Sequence, residues 1–241
     1  MGRGAAQEIA LPKRVPLSPT PPQEPSGAIL QFKVWLLGLS PMVWRRVQVP
    51  ASFTLRQFHG VIQVAMGWEG AHLFQFHLRA IRYGSLELSA RSPETTLEDL
   101  RLRKRARFIY EYDLNVPWRH EIRLEERLEP VAKRNYPYCV DGHEACPPED
   151  CGGPADYLAR REAWHSMDAL DDLGVMAEII DQAVIEGRRE ILDDADTRSR
   201  LEDALERAEE RERWKGQPFS RQTVNADLRQ GQHLVLMHQR Y

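Results

Sequence analysis

Apolar and polar residues first fall into step at residues 29–39, "ILQFKVWLLGL". Leu30, Phe32, Val34 and Leu36 alternate there with Gln31, Lys33 and Trp35, the period of a half-buried strand. "GLSPM" breaks the pattern at Gly38 and Pro41, and "VWRRVQVP" resumes it, with Val43, Val47 and Val49 on one face and Trp44, Arg46 and Gln48 on the other. The two segments predict a hairpin. The spacing then shifts to that of a helix. Thr54 is an N-cap, Gln57 completes a capping box, Phe53 and Phe58 can staple across the cap, and Leu55, Phe58, Ile62, Ala65 and Met66 form one stripe closed by Gly67. Strand periods return in "HLFQFHLRAIRYG", where Phe74 and Phe76 oppose Gln75 and His77, and again in "RARFIYEYDL" and "WRHEIRLEERL". "SPETTLEDLRL" reads as a turn with a short helix. The order strand, strand, helix, strands predicts an α+β fold: a β-grasp-like mixed sheet with one packed helix.

From Pro154 onward the pattern is helical. "VMAEIIDQAVIEGRREIL" places Met176, Ile179, Ile180, Ala183, Val184 and Ile191 on one stripe. "RSRLEDALERAEERERWK" carries a short stripe of Leu201, Ala204, Leu205 and Ala208 among balanced charges. It reads as a solvated helix with pairs such as Asp203 with Arg207, or as a docking seam for a partner protein. Residues 1–27 hold six of the 16 prolines and have no apolar core of secretion type, so they read as a disordered leader. The expected organisation is 1–27 leader, 28–153 α+β domain and 154–241 helical extension packed on it.

Composition narrows the classes. Apolar residues make up 42% of the chain, enough for a core, and the net charge of -3 excludes coating nucleic acid by bulk charge. No apolar run approaches the roughly 18 residues of a membrane span. Three cysteines without a secretion signal suggest a reducing cytoplasm.

All three cysteines lie in "YCVDGHEACPPEDCGGP". Cys139, Cys146 and Cys151 with His120, or alternatively His143, form a candidate zinc set. A rigid Pro/Gly loop with buried cysteines is the plainer reading, and a reactive thiol, best placed at Cys151, is the third. Asp141, Glu144, Glu149 and Asp150 read as solvated loop charge, with Asp150 a candidate cap for the helix that follows. Arg45 shares a face with three valines and needs an internal acid, a route to solvent at the sheet edge, or an anionic ligand. With Arg46 and the run "RLRKRAR" (Arg101, Arg103, Lys104, Arg105, Arg107) it makes up the candidate anion or nucleic-acid contacts. Trp35 and Trp44 read as opposite each other and covered by the C-terminal helices, the alternative being a base-stacking platform. No P-loop, dinucleotide-binding, H-E-x-x-H or G-x-S-x-G motif occurs.

Taken in order, "VWRRVQVP", "TLRQFHGVIQVAMGW", "HLFQF" with "RYG", "WRHEIRLE" and "CVDGHEACPPEDCGGP" resemble the plasmid pRiA ORF-3-like family, also described as insertion-element passenger TnpR-like proteins. "PFSRQTVNADLRQ" is similar to that family's closing segment. The resemblance implies an α+β fold and a place among plasmid and mobile-element proteins. It implies no established activity. In the family's "YDFGDxWxH" run, Tyr112, Asp113, Trp118 and His120 match, while Leu114, Asn115 and Val116 depart, and Phe74 replaces a family histidine. The expected function is a non-catalytic binding or accessory module tied to mobile DNA. The alternatives are a metal- or thiol-dependent hydrolase and a protein-interaction scaffold.

Overall fold

A computed structural model describes residues 27–85, 89–163 and 167–238, so most of the expected leader lies outside the described residues. The strands are β1 (Ile29–Leu36), β2 (Trp44–Pro50), β3 (Phe74–Leu78), β4 (Ile81–Gly84), β5 (Arg107–Tyr112), β6 (Trp118–Leu128) and β7 (Tyr138–His143). The helices are α1 (Leu55–Met66), α2 (Gly153–Ala163), α3 (Met167–Ile180), α4 (Ala195–Trp214), α5 (Arg221–Arg229) and α6 (Gln232–Leu236). The fold is α+β with a helical C-terminal part. One sheet runs β4-β3-β5-β6-β1-β2-β7, and every neighbouring pair in it is antiparallel, where a mixed sheet was expected. The reason lies in the reach of α1. It joins β2 to β3, which run the same way but stand four places apart, so the crossover creates no parallel neighbours.

The local signals hold at α1. Thr54 accepts from Gln57 N, Gln57 returns the bond to Thr54 N, and Gly67 takes the left-handed conformation at φ 84. Ten of its 12 residues are buried, between the sheet on one side and the returning C-terminal helices on the other. Phe58 meets Phe32 at 4.8 Å between ring centroids, and Phe76 meets Tyr110 at the same distance. Burying each such side chain contributes about 2–3 kcal/mol. Between α1 and the sheet lies a polar strip: Tyr110 Oη sits 2.6 Å from His59 Nδ1 and accepts from Gln63 Nε2 at 2.8 Å. The hairpin register sets Trp35 directly across from Trp44. Both lie on the sheet face away from α1 and stay half-exposed, and Lys33 and Arg46 cover Trp44 in place of the expected helices.

Residues 97–101 close as a turn rather than a helix. The expected stripe after Pro154 splits. Ile179 and Ala183 are buried, Ile180 and Val184 are exposed, and the chain leaves α3 through a π turn, Asp181–Ile185, so Ile191 falls on a separate 3₁₀ turn. Arg207 turns to Asp172 of α3 at 2.6 Å instead of to Asp203, and Arg211 joins it at 2.7 Å, which ties α3 to α4. α5 and α6 then return to the sheet domain. Asn225 accepts from Cys139 N and donates to Cys139 O, both at 2.8 Å, like one residue of an eighth strand. α6 crosses α1 at Gly60, where a Cβ would stand 2.0 Å from the His233 carbonyl.

Candidate functional site

The Cys loop is fastened at both ends of its turn. Trp68 Nε1 donates to Pro147 O at 2.9 Å and Trp118 Nε1 donates to Glu149 O at 3.0 Å. The Glu149 carboxylate accepts from Glu69 N at 2.6 Å, from Ala71 N at 3.2 Å, and from the Tyr112 hydroxyl. On the far side, Gly216 follows α4 so closely that a Cβ would stand 2.0 Å from Cys146 O, and its φ of +73 also favours glycine. The loop is therefore wedged between the sheet and the returning helices.

All three sulfurs are buried. Burial pushes the Cys139 and Cys151 thiols up to about 11 and Cys146 up to about 12. Arg45 acts against that shift at Cys139 and Cys146 without cancelling it. They are neutral thiols at physiological pH, the opposite of an activated nucleophile. His120 is enclosed, with Nδ1 3.1 Å from Trp118 O, and burial lowers it to about 3. His143 points outward beside Glu144 at 3.1 Å. Among the described residues no group of three or more His, Cys, Asp or Glu is placed to hold a metal ion, so the expected set of Cys139, Cys146, Cys151 and His120 is not assembled as one. Asp150 does not cap α2; it meets His72 Nε2 at 2.7 Å. In the native protein at pH 7.5, an aromatic disulfide reagent is expected to titrate less than one thiol per chain within minutes. All three should react at once in guanidinium. Immediate native reaction of Cys151 would show that the wedge opens.

Among the described residues Arg45 meets no acid, and it has no route to solvent. It is 2% exposed. Nε donates to Ala65 O, and Nη1 donates to Trp44 O and His143 O, each at 2.8 Å. Its guanidinium lies over the Phe219 ring at 4.4 Å. Burial draws its pKa down, and the Cys146 and Cys139 sulfurs act against that. Gly142, paired with Arg45 in the register, leaves the room: a Cβ there would come within 2.8 Å of Arg45 Cδ and Phe219 Cζ. A carbonyl cage around a cation leaves no visible pattern in sequence, because carbonyls belong to every residue.

The other expected anion contacts are largely taken by carboxylates on the sheet. Arg46 binds Glu125 at 2.6 Å, Lys104 binds Glu126 at 2.7 Å and Arg107 binds Glu121 at 3.0 Å. Arg101 and Arg105 occupy positive φ at 45 and 68 in the turns before β5. Sequence reasoning missed a cleft of about 340 Å³ where the β6–β7 connection meets α5. Lys133, Arg134, Asn135, Tyr138, Asn225 and Arg229 line it, and among the described residues no carboxylate does. Arg134 lies over the Tyr138 ring at 5.0 Å and donates weakly to Gln48 at 3.3 Å. The signal was present in "AKRNYPY", but Arg229 lies nearly a hundred positions further on.

Comparison with known proteins agrees with this architecture. An uncharacterised protein of Sinorhizobium fredii, y4hQ, is 34% identical over 146 residues, covering 57% of this chain and 73% of that protein. The crystal structure of MM3350, a protein of unknown function from Methanosarcina mazei Go1, superposes with a TM-score of 0.54 at 29% identity, over 58% of this chain and 83% of that one. Residues 28–183 match the family described as plasmid pRiA4b ORF-3-like protein. That match spans more than half the chain and takes in the sheet, the Cys loop and α3, so the chain belongs to the plasmid pRiA4b ORF-3-like family.

Proposed function

We propose that the chain is a non-catalytic binding module associated with mobile DNA, and that it meets phosphates at the Lys133–Arg134–Arg229 cleft. The observation that carries this reading is the lining itself: among the described residues it has three cations and no carboxylate, while Arg46, Lys104 and Arg107 are each matched by a glutamate. A module of net charge -3 needs such a local patch to approach a polyanion. Burial of the thiols speaks for a bracing role of the Cys loop over a hydrolytic one, since a thiolate is the reactive form.

The test is a gel-shift titration with duplex DNA across a series of salt concentrations. Three phosphate contacts give a slope of about −2.7 in log K against log salt. The pair Arg134→Glu and Arg229→Glu, both on exposed residues, should abolish the shift without changing the circular dichroism. No retention of DNA by the native chain at low salt removes this reading.

A further inference from the structure

Among the described residues, nothing covers one apolar side of the α3–α4 hairpin. Met167, Leu170, Leu173, Ile180, Val184 and Ile185 are 56–74% exposed. At 3.6 residues per turn, Leu170, Leu173, Ala177 and Ile180 fall on a single stripe of α3, and the exposed Val184 follows on the π turn. The ion pairs fix how α4 lies beside it. Arg200 meets Glu178 at 3.5 Å, and Arg207 and Arg211 meet Asp172, so the cationic flank of α4 is turned to one side of the hairpin. At 3.6 residues per turn Leu201, Leu205 and Ala208 fall on the other flank of α4. Leu205 is 43% exposed. Two helices thus contribute to one apolar strip, with Leu170, Leu173, Ile180 and Val184 from α3 and its extension and Leu205 from α4.

Charge decides what covers it. Residues 167–185 contain five acids and no cation; Asp172 and Glu178 are held by arginines of α4, which leaves Asp168, Asp171 and Asp181 outside those pairs. On the α4 edge helical spacing sets Glu202, Glu209 and Glu212, with a single cation, Arg198, whose guanidinium is turned to Leu192 O at 2.9 Å. A second copy of the chain fits poorly: antiparallel pairing about the middle of α3 would set Asp171 of one copy against Asp181 of the other, and parallel pairing would set each acid against itself. An anionic bilayer is repelled by the same rims. We propose that this strip docks an amphipathic helix with a basic flank, supplied by another protein, in the helix-in-groove manner.

The experiment uses the full chain and an 18-residue fluorescent Leu/Lys amphipathic peptide, read by anisotropy, with the Leu/Glu analogue as comparison. Leu173→Ser with Ile180→Ser changes only exposed side chains, so the fold is expected to persist, checked by far-ultraviolet circular dichroism. Saturable binding of the Leu/Lys peptide, weakened at least tenfold by that pair and absent for the Leu/Glu analogue, is the expected result. The Arg134→Glu, Arg229→Glu variant should bind the peptide unchanged, which separates this site from the phosphate cleft. No peptide binding, equal binding by the serine variant, or equal affinity for the acidic analogue overturns the proposal. So does a dimer in sedimentation equilibrium that the serine pair dissolves, or attachment to phosphatidylserine vesicles that the pair removes.

Discussion

Replacing Arg45 with methionine is expected to destabilise the protein by about 3–4 kcal/mol, although methionine keeps the stem volume and removes a buried charge. Three carbonyls from three segments, at Ala65 on α1, Trp44 on β2 and His143 on β7, lose the Arg45 donor together. Each unsatisfied buried acceptor costs about 1–3 kcal/mol, and partial relaxation keeps the sum below the simple total. Arg45→Lys should recover only a minor share. A single ammonium cannot reach Ala65 O on one side and the Trp44–His143 pair on the other while stacking on Phe219. Urea unfolding of the full chain measures this directly. A loss under 1 kcal/mol for the methionine variant would mean that water takes over the three carbonyls, and that the guanidinium is not what joins helix, hairpin and edge strand.

The second large effect is with pH. Burial lowers His59 and His120 to about 3 and His233 to about 4, from 6.5 in the unfolded chain. A histidine whose folded pKa is depressed contributes stability above its unfolded pKa and loses it as pH falls, because the unfolded state binds the proton first. The loss therefore starts near pH 6.5 and continues towards 4 for His233 and towards 3 for His59 and His120. Between pH 7.5 and 5.0 each histidine accounts for about 2 kcal/mol, so the three together account for about 6 kcal/mol, a large fraction of a typical domain's stability. The carboxylates held low by arginines, Glu125 and Asp172, have ordinary values of 4.5 and 3.8 and act mainly below this window. Urea midpoints measured at pH 7.5 and 5.0 should fall steeply, and His233→Gln should remove about a third of the dependence. Equal midpoints at the two pH values would contradict the burial of these rings as neutral species.

What the sequence disclosed follows from how far each signal reaches. The β1–β2 hairpin and the caps of α1 were legible because their partners lie within a few residues, as with Thr54 and Gln57. The Cys loop was legible as a rigid element, since prolines and glycines act on their own backbone. Its clamps were not, because Trp68 reaches Pro147 and Trp118 reaches Glu149 across distant segments. The stripe on α3 was visible as periodicity, yet periodicity marks an apolar face without saying whether the protein covers it. Ile179 is covered and Ile180 is not. The zinc reading came from residue type and spacing. The fold instead keeps His120 under the sheet's aromatic layer, edge-on to Trp68 at 5.4 Å, and leaves His143 outside.

The amide of Asn225 has a consequence for association. β7 is an end strand of the sheet, and its Cys139 N–H and C=O are engaged by this one side chain from α5. The opposite end strand, β4, has only four residues. The sheet therefore offers little backbone on which a foreign chain could polymerise, so long as α5 stays seated. The last helices act as a guard against fibre growth, and loosening them would expose that rim before the core itself came apart.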